Sequence, residues 1–332
     1  MRRGIIPVRF ARPSRHAAAL LGLLAFGCDG PAEPPPSAPP AMSVADRDLA
    51  RAAAEKALDD GRFADAERIA RALDGRAGDA AGAELLGRSL AALGRRDEAA
   101  DAYARAAERD PTNAALAHAA ATVAESAGRV DAALAGYGRA IALEPNAASW
   151  RLFRANAYLR LGRPDEATPD LDALLVLAPR EGWTHAVRAE WLLQSGDPDA
   201  AAAAASEARS LDPDEIAFRL IESRALRAAD RPGEAAERLS ALAPAERANE
   251  AVAEELARAW SAAGRSDRAA EAWERAAAFA PACTRCALEA ALARVAADDL
   301  ARARHWAESL RLQGATAEAD RIDEAIRAKA VR

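Results

Sequence analysis

The chain of 332 residues is short of what a sheet, a metal site or a nucleic-acid surface would need. Val, Ile and Thr together fill 23 positions, too few β-branched residues for an extensive sheet. Three Cys and four His leave little material for a metal or redox enzyme. Basic residues are in deficit: 45 Lys and Arg against 51 Asp and Glu give −6, and since the first 27 residues hold five Arg and no acid, the remainder carries 40 − 51 = −11. A balance that acidic argues against nucleic acid, or bare anionic lipid, held by a basic face. The glycines form no phosphate-cradling loop, and His118 and His185 stand apart from any Ser, Cys or paired carboxylate that would complete a nucleophile and base couple. Neither a cofactor nor an enzymatic activity is expected. Alanine, in contrast, fills 98 positions, which marks an all-α protein.

The amino terminus reads as an address. Arg2, Arg3, Arg9, Arg12 and Arg15 precede eleven apolar residues, 17–27, the pattern of a signal peptide over residues 1–27. Eleven residues at about 1.5 Å each cover about half of a ~30 Å hydrocarbon core, so removal is expected rather than an uncleaved membrane span. Ala25 and Gly27 supply the small side chains a peptidase requires before Cys28. The segment Leu24-Ala25-Phe26-Gly27-Cys28 resembles a bacterial lipobox, which implies acylation of Cys28 and attachment to a membrane through an N-terminal lipid. Cleavage of the same bond by an ordinary signal peptidase would instead release a soluble periplasmic module. Residues 28–46 follow, with Pro31, Pro34, Pro35, Pro36, Pro39 and Pro40 among small residues, and read as an extended tether. The expected location is the bacterial cell envelope, facing periplasm or surface, with inner and outer membrane both open.

A period of 34 runs through the remainder. Gly61, Gly94, Gly128, Gly162, Gly196 and Gly264 are spaced by 33, 34, 34, 34 and 68, and the same register passes through Asp230 and Asp298. Both Asp residues are turn-formers that tolerate the left-handed backbone Gly adopts at a helix end. Five residues after each turn stands alanine: Ala66, Ala99, Ala133, Ala167, Ala201, Ala235, Ala269 and Ala303. Twelve after it the residue is always apolar, from Leu73 to Leu310. Seventeen after it, Pro111, Pro145, Pro179, Pro213 and Pro281 close the second helix of a pair, whereas Pro164, Pro198 and Pro232 open one. The first unit ends at Gly75 to Gly78 without Pro, the sixth carries Pro244 three places early, and the eighth lacks the closing Pro.

This arrangement resembles the tetratricopeptide repeat. The second unit carries Leu86-Gly87, Leu90, Gly94, Ala99, Tyr103, Ala106 and Pro111 in that family's order, and the third has Gly128, Ala133, Tyr137, Ala140 and Pro145. The resemblance implies an α-α superhelix, or solenoid, of about eight helix-turn-helix units over residues 47–315. Residues 316–332 add an amphipathic helix, with Ala317, Ile322, Ala325 and Ile326, that caps the stack. It also implies that the first helices line a concave groove for a partner protein or peptide.

Positions six, thirteen, and two or three before each turn nominate the groove residues Arg88, Ser149, Asn156, Arg160, Trp183, Glu190, Gln194, Arg224, Arg227 and Arg258. Arginine forks in the sixth and seventh units match carboxylates, so an acidic peptide end is an expected ligand. Of the six Trp residues, Trp150, Trp191, Trp260, Trp273 and Trp306 fall where helices pack, whereas the register of Trp183 points it into the groove. The many Asp and Glu residues alternate with Arg at helical spacing, a pattern of solvated ion pairs.

Cys283 and Cys286 form a Cys-x-x-Cys after Pro281, which in an oxidising envelope reads as a short-loop disulfide. A redox role at the helix N-terminus is the alternative, as is a metal site with His305 as its third ligand. The leading expectation is therefore a non-enzymatic scaffold or adaptor, lipid-anchored in the envelope, similar in architecture to repeat lipoproteins that help assemble outer-membrane proteins or pilus secretins. A redox or metal-handling envelope protein, or a soluble periplasmic binding module, is the alternative.

Overall fold

The structure is a computed structural model and describes residues 42–242, 244 and 246–331. The expected signal peptide, Cys28 and the tether as far as residue 41 lie outside the described residues. Ser43 caps the first helix, its hydroxyl accepting the Asp46 N–H, so residues 44–46 of the expected tether are already helical.

Seventeen helices and no strand occur among the described residues. They fall into eight pairs: α1 (Val44–Asp59) with α2 (Phe63–Ala77), α3 (Ala80–Ala92) with α4 (Arg96–Arg109), α5 (Ala114–Ser126) with α6 (Val130–Leu143), and α7 (Ala148–Arg160) with α8 (Pro164–Leu177). The second four are α9 (Gly182–Gln194) with α10 (Pro198–Leu211), α11 (Ile216–Ala228) with α12 (Pro232–Ser240), α13 (Glu250–Ala262) with α14 (Ser266–Phe279), and α15 (Thr284–Ala296) with α16 (Leu300–Leu312). The unpaired α17 (Thr316–Ala330) packs on α15 and α16, burying Ala319, Ile322 and Ile326 over the last pair.

One local device makes every turn. The six periodic glycines have φ between 67° and 84°, and Asp230 and Asp298 stand in the same left-handed region at 57° and 69°. The residue after each turn donates its N–H five residues back, from Arg62 to the Ala57 carbonyl at 2.8 Å through to Asp299 to Arg294 at 2.9 Å. That closure satisfies a carbonyl the helix end would otherwise leave open. Between units, Pro111, Pro145, Pro179, Pro213 and Pro281 each stand two residues beyond a helix end, and Pro164, Pro198 and Pro232 begin α8, α10 and α12. The first unit stops instead on Gly78, at φ 65°. In the sixth, the early Pro244 follows a second helix cut to nine residues.

Every periodic alanine is buried, and so is every apolar residue twelve after a turn. Small side chains at those places let successive helices approach closely, and Gly87 and Gly182 take this further: a Cβ on either would lie 2.5 Å from the ring of Tyr103 or Phe218. First helices also pack against first helices of adjacent units, α7 on α9, α9 on α11 and α11 on α13, whereas no two second helices pack comparably. The second helices are splayed, and the array curves with its first helices inside.

The core is divided unevenly. From α9 to α15 one continuous apolar cluster joins Phe218, Leu226, Leu239, Trp260 and Trp273. Between α1 and α9 it breaks into four smaller clusters, two of them centred on Tyr103 and Tyr137.

Candidate partner-binding surface

All ten groove candidates stand on first helices: Arg88 on α3, Ser149, Asn156 and Arg160 on α7, Trp183, Glu190 and Gln194 on α9, Arg224 and Arg227 on α11, and Arg258 on α13. Most of the charged ones are tied to a neighbouring unit. Arg160 Nε donates to Glu125 Oε1 at 2.9 Å, Gln194 Nε2 to the Leu159 carbonyl at 2.9 Å, and Arg224 pairs with Glu190. Arg227 Nε reaches Glu255 Oε1 at 2.8 Å, whereas Arg258 Nη2 is held within its own helix, by Glu254 Oε2 at 2.5 Å. Glu255 is only 3% exposed and also accepts the Ser223 hydroxyl at 3.0 Å. The arginine forks read from sequence as grips for a partner's carboxylate therefore already hold carboxylates of the chain itself.

Exposed ion pairs at helical spacing, such as Arg62 with Asp65 and Arg163 with Glu166, follow the expected pattern, but four charges depart from it. Asp170, Glu222, Glu255 and Arg294 are buried, and each meets oppositely charged side chains from another helix, as Arg154 does Asp170 at 2.7 Å and Arg294 does Glu274 at 2.6 Å. Spacing within a helix cannot reveal such pairs, because their members lie 13 to 28 residues apart.

Aromatic groups remain open on this face. His118 on α5 lies 4.3 Å from Phe153 and 4.8 Å from Trp150, ring centre to ring centre, both on α7. Phe153 is 39% exposed. One repeat further along, Trp183 is 43% exposed and stands edge-on to the buried Phe218 at 4.9 Å. Trp260 and Trp273 are core residues, and Trp150, Trp191 and Trp306 are partly buried. Beneath the cluster, the Tyr137 hydroxyl donates to Glu125 Oε2 at 2.8 Å, and burial pushes its phenol up to about 12. Burial also lowers His118 below its ordinary 6.5, favouring the neutral ring. Sequence reasoning missed His118 and Phe153 as surface residues. Their spacing, ten before Gly128 and nine before Gly162, falls between the nominated groove positions and would have found them.

At the far end of the array Cys283 and Cys286 are joined in a disulfide. Glu254 of α13, not His305, completes the group of potential ligand atoms there, all three within 4.8 Å of one another. His305 has no place in that group.

An all-α solenoid with an inner face of first helices is the class this geometry defines. Residues 83–113 and 118–182 match models of the tetratricopeptide repeat, so the chain carries such repeats. A tetratricopeptide repeat protein from Parabacteroides merdae shares the fold at 16% identity and a TM-score of 0.62, over 75% of this chain and 99% of that one. The APC/C hetero-tetramer Cut9-Hcn1 gives 16% and 0.55, over 74% of this chain and 49% of the other. PilW, a type IV pilus biogenesis factor, gives 18% and 0.54, over 60% and 92%. No curated protein matches the sequence.

Proposed function

We propose that the chain is a non-enzymatic interaction scaffold of the bacterial cell envelope, anchored by lipid on Cys28, which binds an extended segment of a partner protein along the first helices of its third to fifth units. The aromatic cluster of His118, Trp150 and Phe153, with Trp183 one repeat on, carries the reading. Exposed rings on a curved face favour an apolar partner segment, because the arginines that would favour an acidic one are neutralised within the array. The tetratricopeptide fold supports a scaffold role in general, and among the described residues no helix is long and apolar enough to cross a membrane. Attachment in this reading rests on the lipobox-like segment that ends at Cys28.

Crosslinking in the native cell, followed by identification of what is trapped, tests the binding reading. Phe153→Ala with Trp183→Ala should abolish capture with helicity intact, whereas Arg224→Ala, Arg227→Ala and Arg258→Ala should weaken it less. Undiminished capture by the aromatic variant would overturn the assignment. Intact mass of the membrane-extracted protein tests the anchor, an unmodified Cys28 being the adverse result.

A further inference from the structure

The Cys283–Cys286 disulfide is poorly placed to be a staple. It closes a loop of four residues, joins the cap of α15 to the first turn of that same helix, and ties no second element to it. Cross-links stabilise chiefly by closing long loops between elements that would otherwise separate. The backbone of α15 already fixes these two residues.

The two sulfurs are also unequal. Cys283 is half-buried at the open start of the helix, whereas Cys286 is completely buried. The backbone N–H of Cys286 donates to the sulfur of Cys283 at 3.1 Å. A helix N-terminus favours thiolate over thiol, so a sulfur in the position of Cys283 makes both a good nucleophile and a good leaving group. Cys286 Sγ faces a different partner, Glu254 Oε1 at 3.5 Å. Beside a carboxylate a thiol that donates S–H is preferred to a thiolate. Glu254 is itself held by Arg258 at 2.5 Å and Arg285 at 2.7 Å, which fixes its carboxylate over the buried sulfur.

We infer that Cys283–Cys286 is an exchangeable disulfide through which the chain accepts two electrons from a protein dithiol. A thiolate of that dithiol attacks Cys283 Sγ, the sulfur reachable from solvent. A bond forms between the two sulfurs, the Cys283–Cys286 bond breaks, and its electron pair leaves on Cys286. That sulfur takes a proton and donates it in a hydrogen bond to Glu254. The second thiolate of the dithiol then attacks its own partner sulfur in the mixed disulfide, expelling Cys283 as thiolate. The dithiol ends as a disulfide, and its two protons balance the two thiols formed here. An oxidising disulfide of the envelope restores the pair by the reverse sequence.

The test uses the full chain and simple thiols, so it is independent of whatever the inner face binds. Oxidised protein is treated with millimolar dithiothreitol at neutral pH, then alkylated and mapped by peptide mass so that Cys28 is counted separately. Reduction within minutes at unchanged helicity is the expected result; resistance until guanidinium unfolds the chain would overturn the proposal. In the reduced wild-type protein, limiting iodoacetamide should label Cys283 about tenfold faster than Cys286. Equal or reversed labelling would also overturn it. Cys286→Ser should hold a mixed disulfide with glutathione and Cys283→Ser should not, and the wild-type measurements decide the matter if either variant fails to fold.

Discussion

Arg224 pairs with Glu190 across 34 residues, one full repeat, so that the period of the sequence reappears as an ion pair between α11 and α9. A similar relation, across 35 residues, joins Arg160 to Glu125 and, through a backbone carbonyl, Gln194 to Leu159. These contacts run along the inner face and consume charge that would otherwise be available to a partner.

Their worth depends on burial. Arg224→Ala removes an exposed partner and should cost about 0–1 kcal/mol. Glu255→Ala leaves Arg227 without its carboxylate at a buried site and should cost about 3–5 kcal/mol. Urea denaturation of the two variants checks the contrast, and equal losses would mean that Arg227 finds another partner.

Asp230 and Asp298 occupy a backbone region that costs a side chain about 1–2 kcal/mol, less for Asp than for bulkier residues. Asp230→Gly should therefore stabilise the chain by up to about 1 kcal/mol, while Asp230→Val should destabilise it. Thermal melting is sufficient, and a lower melting temperature for the glycine variant would contradict the turn assignment.

Close approach predicts the opposite outcome at other glycines. Gly87→Ala and Gly182→Ala drive a methyl into the rings of Tyr103 and Phe218 and should cost about 1–3 kcal/mol. Gly75 lies within α2 with nothing near its Cβ position, so Gly75→Ala should gain about 0.5–1 kcal/mol. Chemical denaturation of the three variants orders them, and similar effects at Gly75 and Gly87 would refute the packing argument.

The lowered pKa of His118 makes the aromatic cluster sensitive to acid. An unfolded chain binds the proton near 6.5, the folded one only at lower pH, so stability is full above 6.5 and falls as the pH drops through the folded value. Glu274, held below 4.5 by its hydrogen bonds to Arg294, adds a contribution present above 4.5 and lost on further acidification. NMR titration should place His118 below 6.5, and His118→Phe should flatten the first decline. A midpoint at or above 6.5 would show that the ring is not shielded from water.

Much of the architecture could be read from the turns alone. Gly61 through Gly264, the alanines five places on and the closing prolines each express a local rule, and the period carried Asp230 and Asp298 into the same role despite their different chemistry. Pro244 even marked the unit whose second helix is short. The surface was less legible. Arg227 looked free because its partner Glu255 comes from the next unit, and the His118 and Phe153 rings meet only when α5 and α7 stack. Glu254 reaches the cysteines from 32 residues away, where no spacing rule applies. The six arginines that directly follow a turn, Arg62, Arg95, Arg129, Arg163, Arg231 and Arg265, were a visible pattern that the turn glycines overshadowed. Arg95 and Arg129 use that place to reach acids of the preceding unit.

The uneven division of the core gives the array a stiff half and a compliant half. Units five to seven share one apolar mass that reaches into α15 and must open together, while the first four are held by four smaller clusters and can loosen piecemeal; the eighth unit and α17 form a further cluster of their own. The exposed rings straddle that boundary. A ligand gripping them would brace the softer segment against the rigid one, so occupancy would be felt as slowed amide exchange well away from the residues it touches.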